Sequence, residues 1–167
     1  MLILGIDPGT ATTGYGVIRS NGKGNEVVAW GLIETQKDGL KEHRLDFIYE
    51  ETLRLIKKHS PEAFVIEKIF FASNAKTAIA VGQAQGVMLL AASKAKVPVT
   101  EYAPGTIKKL ITGSGRANKK DIQKQIRRIL GAKVKSGAHQ KTHFDNAADA
   151  LAIALTHAFK VGEGSST

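Results

Sequence analysis

Three acidic residues stand where a carboxylate is costly. Asp7 closes the apolar run Leu2, Ile3, Leu4 and Ile6, and Pro8-Gly9 stops that run from continuing. Glu67 repeats the pattern directly after Phe64-Val-Ile66. Asp149 lies in a helical stretch among Ala147, Ala148, Ala150, Leu151, Ile153, Ala154 and Leu155, where a solvated charge is hard to place. An ionised carboxylate is expensive to bury without a cationic partner, and clustered carboxylates resist joint ionisation. A divalent cation removes both conflicts, and a donor set of hard oxygens suits Mg²⁺ or Mn²⁺. Two such ions flanking a phosphodiester would activate water and stabilise the leaving 3′ oxygen. Taken alone, Asp7 is explained equally well as a carboxylate accepting N–H bonds from its own turn. The second acidic strand end and the buried helical Asp149 favour metal chemistry. Asp145 and Asn146 share the helix with Asp149, about 40° and about 60° away around its axis, so each is a further candidate to face Asp7 and Glu67.

The elements that must position these groups follow from periodicity. Thr12 onward, with Tyr15-Gly-Val-Ile-Arg19, reads as a strand returning beside the first, and 26–34 as a third across the turn Asn21-Gly-Lys-Gly-Asn25. Together they form an antiparallel meander. Leu45, Ile48, Tyr49, Leu53, Leu55 and Ile56 mark one stripe of a helix over 41–59 that Ser60-Pro61 ends. Strands are expected at 63–66 and 97–102, and helices at 72–96, 106–112, 119–130 and 144–160. The fold class is therefore α/β, a mixed five-stranded sheet flanked by helices. One domain over 1–160 accounts for the chain, with a Gly/Ser-rich, disordered tail expected at 161–167.

Composition narrows the partner. The 167 residues carry a formal charge of +9, which favours an anionic partner, most commonly nucleic acid. Residues 94–141 hold 13 of the 24 basic side chains but only two acidic ones, Glu101 and Asp121. Within them, Thr112-Gly-Ser-Gly-Arg116 and Asn118-Lys-Lys120 are expected to offer backbone N–H groups and cations to phosphates. There is no cysteine, which removes disulfides and zinc–thiolate sites. His139 and His143 lack a third nitrogen ligand at suitable spacing for zinc. With no leader and no apolar run of membrane-spanning length, the expectation is a cytoplasmic protein without membrane partners.

Five stretches, in order, carry a resemblance: Ile3-Leu-Gly-Ile-Asp-Pro-Gly-Thr10, Thr13-Gly-Tyr-Gly-Val-Ile18, Phe64-Val-Ile-Glu67 with Phe70, Gly82-Gln-Ala-Gln-Gly86, and Ala148-Asp-Ala-Leu-Ala-Ile-Ala-Leu-Thr-His157. Over about residues 2–159 the chain resembles the RuvC family, bacterial Holliday-junction resolvases with a ribonuclease H-like fold. The resemblance implies an Mg²⁺-dependent endonuclease of DNA recombination and repair, with Mn²⁺ able to substitute and two ions per site. It implies a catalytic set of Asp7, Glu67, Asn146 and Asp149, of which Asp7, Glu67 and Asp149 bind metal. The family carries Asp or His where this chain has Asn146. Either Asp145 or His143 substitutes for it, or Asn146 is an inactivating change, or the site uses a weaker ligand.

The resemblance further places Phe70 as the residue stacking on a base near the junction centre, and Lys108 and Lys119, with Lys120 adjacent and Arg116 nearby, on DNA. It implies four-way junction DNA as substrate, a homodimer, and a branch-migration helicase complex as partner. The long Ala/Gly-rich helix, through Ala78, Val81, Gly82, Gly86, Met88 and Leu89, would let a second helix approach closely. Two other readings stand beside it: a nucleic-acid-binding module without catalysis, and an actin-like ATP-binding domain, because Gly5-Ile-Asp-Pro-Gly-Thr10 also looks like a phosphate loop.

Overall fold

The first strand is buried on both faces, and the rest of the sheet is laid out from it. A computed structural model describes residues 1–36, 38–69, 75–131 and 141–164, with the backbone alone for 141–146 and 163–164. The strands are β1 (Leu2–Asp7), β2 (Thr12–Ser20), β3 (Asn25–Glu34), β4 (Ala63–Glu67) and β5 (Val99–Tyr102). The helices are α1 (Lys41–His59), α2 (Ala75–Lys94), α3 (Pro104–Thr112), α4 (Lys119–Leu130) and α5 (Lys141–Gly164). The sheet runs β3-β2-β1-β4-β5. The β1–β2 and β2–β3 pairs are antiparallel, and β1–β4 and β4–β5 are parallel. This is the mixed, ribonuclease H-like α/β sheet that the sequence leads one to expect.

The β2–β3 turn is built by Asn21, whose Oδ1 accepts the amides of Lys23 at 3.0 Å and Gly24 at 2.9 Å, with Gly22 at φ 79°. Side-chain alternation then divides the core in two. Ile3, Ile18, Ala63 and Val65 face α3, α4 and α5, whereas Leu4, Ile6, Val17, Phe64 and Ile66 face α1 and α2. By the same parity, Asp7 and Glu67 fall on the α3–α5 side.

Some boundaries differ from expectation. The fifth strand starts at Val99, because the Val97 amide closes the end of α2 on the Ala92 carbonyl at 3.0 Å and Pro98 has no N–H to give. α3 begins two residues early, with Pro104 in the first turn where its missing donor costs nothing. α5 runs to Gly164, past the expected end at Lys160, since extending a formed helix adds a hydrogen bond for each residue fixed. Only 165–167 of the expected tail remain, outside the described residues. Among the described residues no helix is long and apolar enough to cross a membrane.

Candidate active site

Register brings the first two carboxylates together. Ile6 pairs with Ile66 in the parallel β1–β4 ladder, so Asp7 and Glu67 follow side by side at the strands' C-terminal ends, where open α/β sheets place their functional groups. The third arrives on α5, which can lie on β1 because two glycines face it. A Cβ at Gly5 would collide with the Ala150 carbonyl oxygen and stand 2.7 Å from the Ala154 amide, and one at Gly16 would stand 2.7 Å from Leu151 Cδ2. Gly5 and Gly16 are cross-strand partners, so together they form a trough for the helix backbone. Asp149, one residue before Ala150, is thereby held at the Asp7 end of the sheet.

Asp7, Glu67 and Asp149 line one cavity of about 310 Å³ with Lys108, Lys119 and the apolar Ile107, Ile122 and Ile153. Lys119 Nζ lies 3.2 Å from Asp149 Oδ2. Its backbone is fixed by a reciprocal cap at the start of α4. The Asn118 side chain accepts the Asp121 amide and the Asp121 carboxylate accepts the Asn118 amide, each at 3.1 Å. Burial, and then the charges of Asp149 and Glu67, push the Asp7 carboxyl up to about 7, against a smaller opposing pull from Lys119. Glu67 is pushed up by burial and Asp149, with Lys108 opposing. The site thus concentrates negative charge that two lysines offset only in part.

A hard divalent cation fits this donor set: the groups are carboxylate oxygens, and a cation would offset both the burial and the acidic neighbours that disfavour ionised Asp7. Among the described residues no three His, Cys, Asp or Glu side chains are grouped closely enough to hold a metal ion on their own. Mg²⁺ characteristically takes only one or two carboxylates and completes its shell with water and substrate phosphate.

The remaining sequence candidates distribute as follows. Asn146, Asp145 and His143 lie on the first turns of α5, within about two turns before Asp149, but their side chains are outside the described residues, as is the whole of Phe70. Arg116 and Lys120 are exposed and do not line the carboxylate cavity. Of the amides of 112–116 and 118–120 expected to face phosphate, several are already bonded locally. Those of Gly113, Ser114, Arg116, Ala117 and Asn118 are taken by Lys109 O, Thr112 Oγ1, Ser114 Oγ, Ser114 O and Asp121 respectively. Met88 is fully buried in the α1–α2 core, because it falls on the inner face of α2, so it is not available to a second helix. Gly82 and Gly86 do face outward: a Cβ on either would meet nothing within 4 Å among the described residues. They share α2 with the exposed Ile79 and Leu90. On α5, His157 Nδ1 stands 3.0 Å from the Tyr102 hydroxyl. No local pattern in the sequence marks the Gly5–Gly16 trough.

Comparison with known proteins gives one consistent result. Residues 3–157 match the family model described as crossover junction endodeoxyribonuclease RuvC. The crossover junction endodeoxyribonuclease RuvC of Thermotoga petrophila is 46% identical over 160 residues, covering 96% of this chain and 93% of that protein. The structure of Thermus thermophilus RuvC superposes with a TM-score of 0.85 at 35% identity, covering 98% of this chain and 97% of that one. The T. thermophilus protein in complex with a Holliday junction substrate also gives 0.85, at 32% identity, covering 99% and 98%.

Proposed function

From the premise that the chain belongs to the RuvC family of crossover junction endodeoxyribonucleases, we propose that it resolves four-way DNA junctions in recombination and repair by hydrolysing one phosphodiester in each of two opposed strands. The observation that carries this reading is the shared cavity: three carboxylates from β1, β4 and α5 meet two lysines from α3 and α4. Asp7, Glu67 and Asp149 would hold a divalent cation, Mg²⁺ or Mn²⁺ and two per site, which supplies Lewis acidity to activate water and to stabilise the departing 3′ oxygen. Lys108 and Lys119 bind the scissile phosphate and its neighbour and hold the substrate against the carboxylates. Moving onto phosphate, Lys119 would give up its ion pair with Asp149. The apolar floor of Ile107, Ile122 and Ile153 excludes bulk water around the reacting phosphate. Hydrolysis breaks the P–O3′ bond and forms a new P–O bond to water, and the 3′ oxygen takes up a proton.

Asn146 makes this form a weak cutter that still binds junctions, because a neutral amide is a poorer cation ligand than Asp or His. The test is cleavage of a synthetic four-way junction in Mg²⁺ and in Mn²⁺ by this protein and by Asn146→Asp, with binding to junction and linear duplex alongside. Selective junction binding by both, with much faster cutting by Asn146→Asp, is the expected result. Ordinary turnover by the parent would show that Asp145 or His143 completes the site. Failure of both to cut would return the protein to a binding module.

A four-way junction has two-fold symmetry and offers two equivalent phosphates, which calls for two equivalent sites. The outward face of α2, with Ile79, Gly82, Gly86 and Leu90, supports a homodimer formed there, and Phe70 stacking on a base at the junction centre belongs to the same reading. Arg116 and Lys120 extend the basic surface along the DNA arms. The cytoplasm, where the chromosome is, and work with a branch-migration helicase complete the picture.

A further inference from the structure

The turn after Asp7 is held from outside by a residue that the nuclease reading leaves unused. Asp7 is the last residue of β1, paired with Gly14, so the path of 8–11 decides how its carboxylate is presented. Within the turn, Thr13 Oγ1 donates to the Gly9 carbonyl at 2.8 Å and accepts the Gly9 amide at 3.3 Å. The outer side is fastened by two other elements. Arg44 of α1 donates from Nη2 to the Thr10 carbonyl at 2.7 Å and from Nε to Thr35 Oγ1 at 3.0 Å. Thr35, just past β3, donates its hydroxyl to the same Thr10 carbonyl at 2.7 Å and its amide to the Ala11 carbonyl at 3.0 Å. Arg44, Thr35 and Thr10 therefore close a triangle of hydrogen bonds, all partly buried. A guanidinium is a rigid planar fork, so its two bonds fix orientation as well as distance.

We propose that Arg44 is a positioning residue for the nuclease site, holding the turn 8–11 so that Asp7 stays in register with Glu67 and Asp149. It acts from α1, across the sheet from the catalytic cavity, and does not touch substrate. The proposal rests on the reading of those three carboxylates as a metal site.

The experiment compares the full-length parent with Arg44→Met, Arg44→Lys and Thr35→Val. Mn²⁺ binding is measured in the absence of DNA by electron paramagnetic resonance, junction affinity in Ca²⁺ by fluorescence anisotropy, and single-turnover cleavage against Mn²⁺ concentration. The expected result is an Mn²⁺ affinity about tenfold weaker in Arg44→Met, the order found when a supporting partner of a metal ligand is removed, with junction affinity unchanged. Thr35→Val shifts Mn²⁺ affinity in the same direction. Arg44→Lys, which keeps the charge but reaches one acceptor, falls between Met and the parent. Thr35→Val leaves Arg44 and the α1 packing in place, so it decides the matter should Arg44→Met not fold. An unchanged Mn²⁺ midpoint in these variants, with or without a lower melting temperature, would overturn the proposal and leave Arg44 a brace for α1. A weaker junction affinity with a shallower salt dependence and unchanged Mn²⁺ binding would overturn it too, making Arg44 a phosphate contact. Absence of Mn²⁺ binding by the parent itself would instead defeat the metal-site reading, and this assignment with it.

Discussion

At the scale of single residues, Asp7 holds a proton near neutral pH that the unfolded chain would release. Its carboxyl rises from 3.8 to about 7 through burial and the charges of Asp149 and Glu67. A raised carboxyl pKa favours the fold below the unfolded value, and the advantage is lost as pH climbs through the folded value. In divalent-free buffer, Asp7→Asn should therefore gain stability over the parent as pH rises from about 4 to above 7. Denaturant melts at several pH values will measure this, and a gain that does not grow with pH would contradict it. On the proposed metal-site reading, the same shift means that a divalent cation such as Mg²⁺ competes with a proton. Calorimetry in buffers of different ionisation heat should find nearly one proton released from Asp7 per site filled at pH 6 and almost none at pH 8.5. Asp7, Glu67 and Asp149 were legible in the sequence because each is a charge where the surrounding pattern is apolar. Arg44 was not, since an arginine on a half-exposed helix looks the same whether it meets water or a turn carbonyl.

At the scale of elements, the site depends on how closely α5 approaches β1. Gly5→Ala should cost roughly 1–3 kcal/mol or more, as overpacking does, and the loss should appear in the midpoint of denaturant unfolding. Activity should fall further than stability, because the added methyl pushes against the turn of α5 that carries Asp149. The cap of α4 offers a gentler perturbation. Asn118→Ala removes the acceptor for the Asp121 amide, should cost about 1 kcal/mol, and frees Lys119 from its fixed approach to Asp149. Cleavage with unchanged metal dependence but weaker junction binding is the expected result, and unaltered binding would count against a phosphate role for Lys119. The strands and helices themselves were readable because apolar periodicity and Pro or Gly punctuation are local. The trough was not, because the fit of Gly5 to the Ala150 carbonyl joins residues far apart in the chain. Nor were the occupied amides of 112–118 legible: the composition says loop, but only the geometry says where each N–H goes.

For the whole molecule, charge and symmetry set the expectations. The protein should be a dimer in solution, with a light-scattering mass twice the 17.9 kDa of one chain. Paired charges at Ile79→Glu and Leu90→Glu should give a folded monomer that no longer cuts both strands of a junction in concert. A parent that runs as a monomer at micromolar concentration would contradict this. Junction affinity should fall steeply with salt, because the positive excess is concentrated in one segment rather than spread over the surface. That distribution, unlike the proposed dimer face, could be counted directly along the chain.

The order of the three carboxylates also has a consequence in time. Asp7 is made early, but its partner Asp149 arrives on the last described element, α5, and the trough between β1 and β2 stays open until that helix docks. A chain still emerging from the ribosome has its first sheet pairs available yet no complete metal site. On the proposed site assignment, cleavage would thus be withheld from nascent chains and from chains truncated before Asp149, by topology alone.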